Sequence, residues 1–389
     1  MALDYELELL GDLVALDTDA TKKTNYIECA NIISQRMREL GMRIEVLDPK
    51  DLVGDGLSRP NVIGTLDMGA DETIGLVTHY DVVPPGEGWT KPPFKLTIEG
   101  GKAFGRGVAD DKSSIAAALG ALKKVGKYAR LNVKLIASPE EEIGGRWGIG
   151  YVMDHYKTRF DMGVVIDSMP NFVSIGASGV AWGEVRVFGK QGHAGYSHLA
   201  DNAIPKLMRL IDEFGAFARR RENKFSTIDA PPGSPKKKVW GRLTFTMLGG
   251  GEKDNIVPGE AWARFDMRII PEESSREAVG EMEQFFGEAK RKLGIEAKLT
   301  FNEIHEAYLT QPSSPVVRRF SDATAAVFGS PLPIAASLGG DDGNFLSAKG
   351  IPVISFGAIA EDCHFHGVDE FVRLTDLENV RDVLVKLIG

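Results

Sequence analysis

Apolar positions along the first half of the chain follow two spacings that alternate with each other. Leu3, Leu7 and Leu10 lie three or four residues apart, which is the spacing of one helix face. Short β-branched runs such as NVIGTLD and TIGLVTHYDVV follow, separated by segments rich in Ala and Leu. Strands that alternate with helices predict an α/β fold with a mostly parallel sheet and helices on both faces.

The pattern changes between residues 179 and 307. VAWGEVRVFG alternates apolar and polar residues, as expected of a strand with one solvated face. The segment continues in the order β-α-β-β-α-β, interrupted by STIDAPPGSPKKK, whose Pro, Ser and Lys residues predict a loop. We therefore predict an inserted α+β two-layer domain over 179–307, a lid and dimerisation domain, within a main domain formed by 1–178 and 308–389.

Composition narrows the range of partners. The 389-residue chain has a net charge of −9, which argues against nucleic acid or an anionic membrane as its main partner. It has two cysteines, too few for a disulfide framework, and an acidic amphipathic N-terminus unlike a signal peptide. We expect a cytoplasmic protein without a membrane span.

Acidic residues and histidines cluster where strands of the α/β part are predicted to end. Ligands of open α/β sheets gather outside the carboxyl ends of the strands, so these clusters are expected to meet in one crevice. The clusters are His79 with Asp81, Asp110 with Asp111, Glu140 to Glu142, Asp167, and His364 with His366.

Each cluster taken alone has a simpler interpretation. A His-x-Asp pair can be a hydrogen-bonded pair at a strand end, two aspartates can begin a helix, and three glutamates can form a solvated turn. Taken together, two histidines and several carboxylates are the donor set of a divalent ion, with zinc as the first candidate. The surplus of carboxylates indicates two ions that share a bridging aspartate, with one glutamate left over as general base.

In this order the motifs resemble the dinuclear zinc amidohydrolase and peptidase family of acetylornithine deacetylase, succinyl-diaminopimelate desuccinylase, aminoacylase, carboxypeptidase G, peptidase T and the carnosine-type dipeptidases. The resemblance covers nearly the whole chain, including the inserted domain. It implies a homodimeric enzyme with two divalent metal ions, zinc or alternatively cobalt or manganese. The implied reaction is amide hydrolysis of a small peptide or an N-acyl amino acid by a metal-bridged water.

The resemblance assigns roles to the main-domain motifs. HYDVVP makes His79 a metal ligand and Asp81 its orienting partner, and GRGVADDK makes Asp110 the bridging ligand, followed by a cis peptide bond. EEEIGG makes Glu141 the general base and Glu142 a ligand of the second metal.

Two further ligands and two neighbours complete this set. Asp167 would complete the first metal site, and His366, in HGVDE, would be a ligand as well. His364 is then expected to be a neighbour of the site, and Asp342, in SLGGDDGNF, matches an acidic residue near it.

The inserted domain supplies the remaining assignments. GKQGHAG places His193 where the family sends a histidine across a dimer interface to the scissile carbonyl. Asn255 and Arg268 match substrate contacts, with Arg268 holding a carboxylate. The alternative for Arg268 is a surface ion pair on a strand.

The resemblance leaves the substrate open. Family members that act on peptides with a free amino terminus tend to carry Asp at position 167, whereas deacylases and carboxypeptidases tend to carry Glu. Dipeptides and short peptides are therefore the favoured substrates. The alternative within enzymes is an N-acyl amino acid deacylase, and the alternative outside catalysis is a metal-dependent binding protein.

Overall fold

The computed structural model describes residues 3–156 and 160–389 of the chain. The helices are, in chain order, α1 (Asp4–Val14), α2 (Tyr26–Glu39), α3 (Lys50–Val53), α4 (Lys112–Val125), α5 (Ile149–His155), α6 (Ala203–Glu222), α7 (Ser275–Leu293), α8 (Pro315–Phe328), α9 (Gly343–Ser347) and α10 (Leu374–Ile388). The strands are β1 (Arg43–Leu47), β2 (Asn61–Leu66), β3 (Thr73–His79), β4 (Thr97–Glu99), β5 (Lys102–Phe104), β6 (Asn132–Ser138), β7 (Met162–Val165), β8 (Val173–Ala177), β9 (Gly179–Phe188), β10 (Gly192–His193), β11 (Phe225–Asp229), β12 (Lys238–Trp240), β13 (Arg242–Gly250), β14 (Ile256–Val257), β15 (Glu260–Ile269), β16 (Glu296–His305), β17 (Tyr308–Leu309), β18 (Ile334–Ser337), β19 (Val353–Ser355) and β20 (Phe371–Arg373).

The described chain divides into two compact units. Unit 1 contains the residues up to Gly176 together with Thr310–Ala335 and Asp341–Gly389. Unit 2 contains Ala177–Leu309 and the short segment Ala336–Gly340. Unit 1 is therefore assembled from three separate stretches of the chain.

The main sheet of unit 1 is parallel at its centre and antiparallel towards its edges. Its strands lie in the order β1-β2-β6-β3-β7-β19-β8. Strand β3 runs parallel to β6 and β7, and β19 runs parallel to β7. By contrast, β2 is antiparallel to β1 and β6, and β19 is antiparallel to β8. The predicted α/β class with a mainly parallel sheet is confirmed.

Helices cover both faces of this sheet. A Cβ atom on Gly64 of β2 would meet Met37 of α2, and one on Gly163 of β7 would meet Leu346 of α9. The strand registers align Gly64 with Leu135, Leu76 and Val164 across the sheet. Because neighbouring residues of a strand point to opposite faces, Gly163, next to Val164, faces the side opposite to Gly64. Helices α2 and α9 therefore pack on opposite sides, as the near-continuous apolar strands require.

The helices of unit 1 bury the apolar faces that the sequence spacing predicts. Leu7, Leu10 and Val14 of α1 are all buried, and α1 packs against α4. Helix α10, which ends the chain, packs against α4 and α8. Within the two described ranges, no helix combines the length and the apolar character needed to cross a membrane.

Unit 2 is a two-layer α+β structure. Its antiparallel sheet has the order β13-β15-β9-β16, and α6 and α7 share a buried core with it that includes Phe214, Phe217 and Phe265. The prediction of a loop for STIDAPPGSPKKK is partly wrong, because the two ends of this segment belong to β11 and β12, which pair with each other. Val239 and Trp240 of β12 are buried, and this burial stabilises a pairing that the polar composition did not indicate.

Candidate metal centre

The end of β3 places a histidine and an aspartate side by side. His79 and Asp81 are both almost completely buried. The Nδ1 atom of His79 lies 3.3 Å from Oδ1 of Asp81 and 3.1 Å from the Asp81 backbone oxygen. These acceptors hold the imidazole ring so that its Nε2 atom faces away from Asp81. Carboxylates and backbone carbonyls commonly orient metal-ligating histidines in this way, by binding the ring nitrogen that does not face the metal.

Asp110 lies between two imidazole rings. Its Oδ1 atom is 3.0 Å from Nε2 of His79, and its Oδ2 atom is 3.1 Å from Nε2 of His366. The peptide bond between Asp110 and Asp111 is cis, as the sequence motif predicts. Asp111, which is also buried, accepts a hydrogen bond from the backbone N–H of His79 at 3.2 Å. One carboxylate thus faces two ring nitrogens with a different oxygen each.

Two groups of three donor atoms are built around Asp110. One group is formed by His79, Asp110 and Asp167, and the other by Asp110, Glu142 and His366. Within each group the donor atoms lie within 4.8 Å of one another. The Nε2 atom of His366 is 2.9 Å from Oε2 of Glu142, and that of His79 is 3.9 Å from Oδ2 of Asp167. The five residues predicted as metal ligands therefore converge in unit 1.

The field inside this cluster favours positive charge. Burial lowers the pKa of His79, but the carboxylates of Asp110, Asp81 and Glu141 together outweigh this effect and hold the pKa well above its usual value. Hydrogen bonds with Asp110 and Glu142 raise the pKa of His366 to about 10. Burial and the charge of Asp110 raise the pKa of Glu142 to about 7 and that of Asp167 well above its usual value. Such mutually repelling carboxylates require neutralisation by cations.

The donor set fits two divalent ions. Each group offers one imidazole nitrogen and two carboxylates, the mixture that borderline ions such as Zn²⁺ accept. The Oε1 atom of Glu142 is buried and has no hydrogen-bond partner among the described residues. A buried carboxylate oxygen without a partner is costly, and coordination to an ion would satisfy it.

The glutamate turn is tied to the end of β3. The backbone N–H groups of Glu141 and Glu142 donate to the two oxygens of Asp81, each at 3.2 Å. The same turn needs a glycine at position 145, where φ is +65° and a Cβ atom would lie 2.6 Å from Oδ1 of Asp342. Asp342 is buried, and burial raises its pKa to about 8. Asp81 thus links His79 to the predicted base Glu141.

The remaining predicted site residues lie in unit 2. His193 is exposed, and its Nδ1 atom accepts a hydrogen bond of 3.0 Å from the backbone N–H of Gly195. It is on β10, which pairs with β14 next to the exposed Asn255. Arg268, on β15, donates through Nε and Nη2 to Asp266 at 2.8 and 2.9 Å. The strand ion pair weighed as the alternative for Arg268 is therefore present.

Several residues around the centre were missed or left open by the sequence analysis. Arg59 and Arg106 are buried and bind Glu140 and Glu370, respectively. The partners are 81 and 264 residues apart in the chain, so local spacing carries no signal of them. His364, whose role was open, packs its ring against Phe371 with centroids 5.7 Å apart, and it belongs to neither ligand group.

The family model of peptidase family M20/M25/M40 matches residues 75–389, which is most of the chain and includes every predicted site residue. The chain belongs to this peptidase family. It is therefore a metal-dependent hydrolase of the M20 group, and its two ligand groups correspond to a dinuclear centre. The family resemblance inferred from the motifs is confirmed.

Individual M20 proteins are similar over most of their length. The chain is 28% identical to succinyl-diaminopimelate desuccinylase of Wolinella succinogenes over 331 residues, covering 83% of this chain and 85% of that protein. An M20 family metallo-carboxypeptidase from Sulfolobus solfataricus has a similar structure, with a TM-score of 0.83, 19% identity and coverage of 99% and 98%. Human carnosine dipeptidase 1 gives a TM-score of 0.80 at 16% identity, with coverage of 99% and 95%. At these identities, the two solved structures show that this chain has the same fold.

Proposed function

We propose that this M20 enzyme hydrolyses the amide bond of dipeptides or short peptides with a free amino terminus. The observation that carries the proposal is the sharing of Asp110 between two ligand groups, with Glu141 directly before the ligand Glu142 in the chain. We further propose zinc as the working ion, because the donors are imidazole nitrogens and carboxylate oxygens. Cobalt and manganese accept the same donors and are the alternatives.

The roles of the main-domain residues follow from their positions. The ions, when bound, would polarise the scissile carbonyl and lower the pKa of water. Glu141 takes a proton from the attacking water and passes it to the leaving amine. Asp81 orients the imidazole of His79 and, through its hydrogen bonds to the amides of Glu141 and Glu142, fixes the base relative to the ligands. Asp167 and His366 complete the two ligand groups.

Unit 2 is proposed as the lid and dimerisation domain of a homodimer. Strand β13 forms one edge of its sheet and exposes Met247 and Leu248, and α6 exposes Met208. An unpaired edge with exposed apolar side chains favours association with a second chain. In such a dimer His193 of one chain would donate a hydrogen bond to the substrate carbonyl bound by the other.

Asn255 and Arg268 are proposed to contact the substrate. A guanidinium can bind a substrate carboxylate through two parallel hydrogen bonds, and Arg268 would have to exchange Asp266 for this ligand. Both residues belong to unit 2: Asn255 directly precedes β14, and Arg268 lies near the end of β15.

The substrate class rests on position 167. The aspartate there supports peptides with a free amino terminus, and a dipeptidase is among the proteins of similar structure. The second candidate is an N-acyl amino acid deacylase, favoured by the 28% identical relative named as a desuccinylase. The two free, buried cysteines agree with the proposed cytoplasmic location.

One substrate panel tests these candidates. Zinc-loaded protein is incubated with free dipeptides and with N-acetyl and N-succinyl amino acids, and the released amino acids are followed by mass spectrometry. Glu141→Ala protein, checked for metal content, is the blank, and its rate should be at least about 100-fold lower because the proton acceptor is missing. Cleavage confined to dipeptides supports the proposal, and cleavage confined to acyl amino acids favours the deacylase. Turnover of neither class would contradict both substrate proposals.

A further inference from the structure

A buried carboxylate four residues after His366 holds the segment that carries Asp110. The Oε1 atom of Glu370 accepts hydrogen bonds from the backbone N–H groups of Ala109 and Asp110 at 2.9 and 3.2 Å. Its Oε2 atom accepts from the backbone N–H of Gly107 at 3.1 Å and from Nη1 of Arg106. Glu370 has no exposed surface, so water does not compete for these donors.

The cation of this pair reaches two further loops. Arg106 is 1% exposed, and its Nη2 atom donates to the backbone oxygen of Gly367 at 2.9 Å. The same atom lies 3.4 Å from the backbone oxygens of Pro84, which ends the HYDVVP motif, and Pro85, which follows it. The Arg106–Glu370 pair therefore connects the exit of β3, the Asp110 segment and the His366 turn.

A second contact fixes the outer side of the same turn. Asp369 accepts hydrogen bonds from the backbone N–H groups of Thr90 and Lys91 at 2.8 and 3.3 Å. The turn that carries His366 is thereby held from both sides, and of these two acidic residues it is Glu370 that contacts the amide of Asp110.

We propose that Glu370 and Arg106 are positioning residues that fix the distance between Asp110 and His366, and so set the affinity of the ion that these two ligands share with Glu142. The proposal rests on the dinuclear function proposed above. Neither residue belongs to a ligand group, so each acts through the backbone of the ligands. Partners of metal ligands contribute about 10- to 100-fold to metal affinity.

A buried ion pair can instead serve stability alone, and unit 2 contains a matched example. Arg221 and Glu273 are both buried, and Arg221 donates to both carboxylate oxygens of Glu273 at 2.6 and 2.7 Å. Glu273→Gln is therefore the control for the loss of one charge in a buried pair.

The experiment compares Glu370→Gln with Glu273→Gln in apo protein titrated with Co²⁺ or Zn²⁺. In Glu370→Gln the new amide N–H group must face either Arg106 and Gly107 or the amides of Ala109 and Asp110, all of which are donors. Cobalt absorption and isothermal titration calorimetry give the affinity of each ion. His366→Ala and Asp167→Ala, each of which lacks one residue of a different ligand group, assign the two binding steps.

We expect Glu370→Gln to bind the ion of the His366 group about 10- to 100-fold more weakly, with a smaller change at the His79 group, and Glu273→Gln to bind both normally. Unchanged affinities in folded Glu370→Gln, or an equal or larger loss at the His79 group, would overturn the proposal. If Glu370→Gln does not fold, Arg106→Lys replaces it, because it keeps the charge but loses the fork that reaches Gly367, and the same criteria apply. Wild-type protein that binds fewer than two ions would instead refute the proposed dinuclear function.

Discussion

Glu140 accepts a hydrogen bond of 2.6 Å from the Nε atom of Arg59, and both side chains are almost completely buried. Glu140 has a left-handed backbone conformation with φ of +66°, which is uncommon for a residue other than glycine. It directly precedes Glu141, so the ion pair holds the conformation from which the predicted base begins. Lys23 adds a second, longer contact to Glu140 at 3.5 Å.

Replacement of the cation in this pair should reduce stability strongly. In Arg59→Met the carboxylate of Glu140 stays buried with a weaker partner, and removal of one member of a buried pair costs about 3 kcal/mol or more. The free energy of unfolding is measured by urea denaturation in the presence of EDTA, so that metal binding does not contribute. Arg373→Met, which breaks a partly exposed pair with Asp362, is the control and should cost less than about 1 kcal/mol. Equal losses in the two variants would contradict the prediction.

Metal stoichiometry should depend on which ligand is removed. Asp110 belongs to both ligand groups, so Asp110→Ala should bind neither ion tightly. Asp167→Ala and His366→Ala each remove a residue of one group and should retain one ion. Bound metal is counted by mass spectrometry of the desalted protein, and Glu141→Ala should retain both ions. Retention of two ions by Asp110→Ala would refute the bridging position.

Metal removal should also lower the thermal stability. An ion present at 100 times its dissociation constant stabilises the folded state by about 2.7 kcal/mol. Chelated protein should therefore melt at a lower temperature and recover when zinc is added back. Asp110→Ala, already without its ions, should melt at the same temperature with and without chelator.

A mixture of two inactive variants should be active if His193 acts across a dimer interface. A hybrid of His193→Ala and Glu141→Ala chains has one site with an intact Glu141 and the other chain's intact His193. Random exchange of chains should therefore restore about a quarter of the wild-type activity. Activity is measured after mixing and again after re-equilibration at low protein concentration. Absence of recovery in confirmed hybrids would place His193 at the site of its own chain.

The thiol of Cys29 should not react with thiol reagents in the folded protein. Burial raises the pKa of its thiol to about 12, and the residue has no exposed surface. At pH 8 Ellman's reagent should leave Cys29 unmodified until urea is added, with peptide mass mapping to locate the label. Because the folded chain holds this proton more tightly than the unfolded chain, the contribution to stability is complete at neutral pH and is lost as the pH rises towards 12. Rapid labelling of the native chain would contradict the prediction.

Much of the fold was predictable because its signals are local. The spacing of Leu7, Leu10 and Val14 predicts the buried face of α1, and the apolar run before His79 predicts β3. The convergence of the metal ligands was also predictable, since the carboxyl ends of parallel strands meet at one edge of a sheet. Their order along the chain then led to the family.

The supporting contacts were not predictable, because they join residues far apart in the sequence. Nothing near Arg59 or Arg106 indicates that the carboxylates of Glu140 and Glu370 will be their partners. Arg268 presents a different difficulty, because its partner is close in the sequence. The alternating strand that carries it is compatible both with a substrate contact and with an ion pair on the strand. Only the geometry places Asp266 against its guanidinium.

The division of unit 1 into three chain segments has a consequence for synthesis on the ribosome. His366 and Glu370 lie within the last 25 residues, and α10, which packs on α4, is made after them. Unit 2 is nearly contiguous in the chain, whereas unit 1 includes segments made both before and after unit 2. The two ligand groups therefore differ in order of synthesis: the three residues of the His79 group all precede unit 2, whereas the His366 group lacks its imidazole until unit 2 has been made.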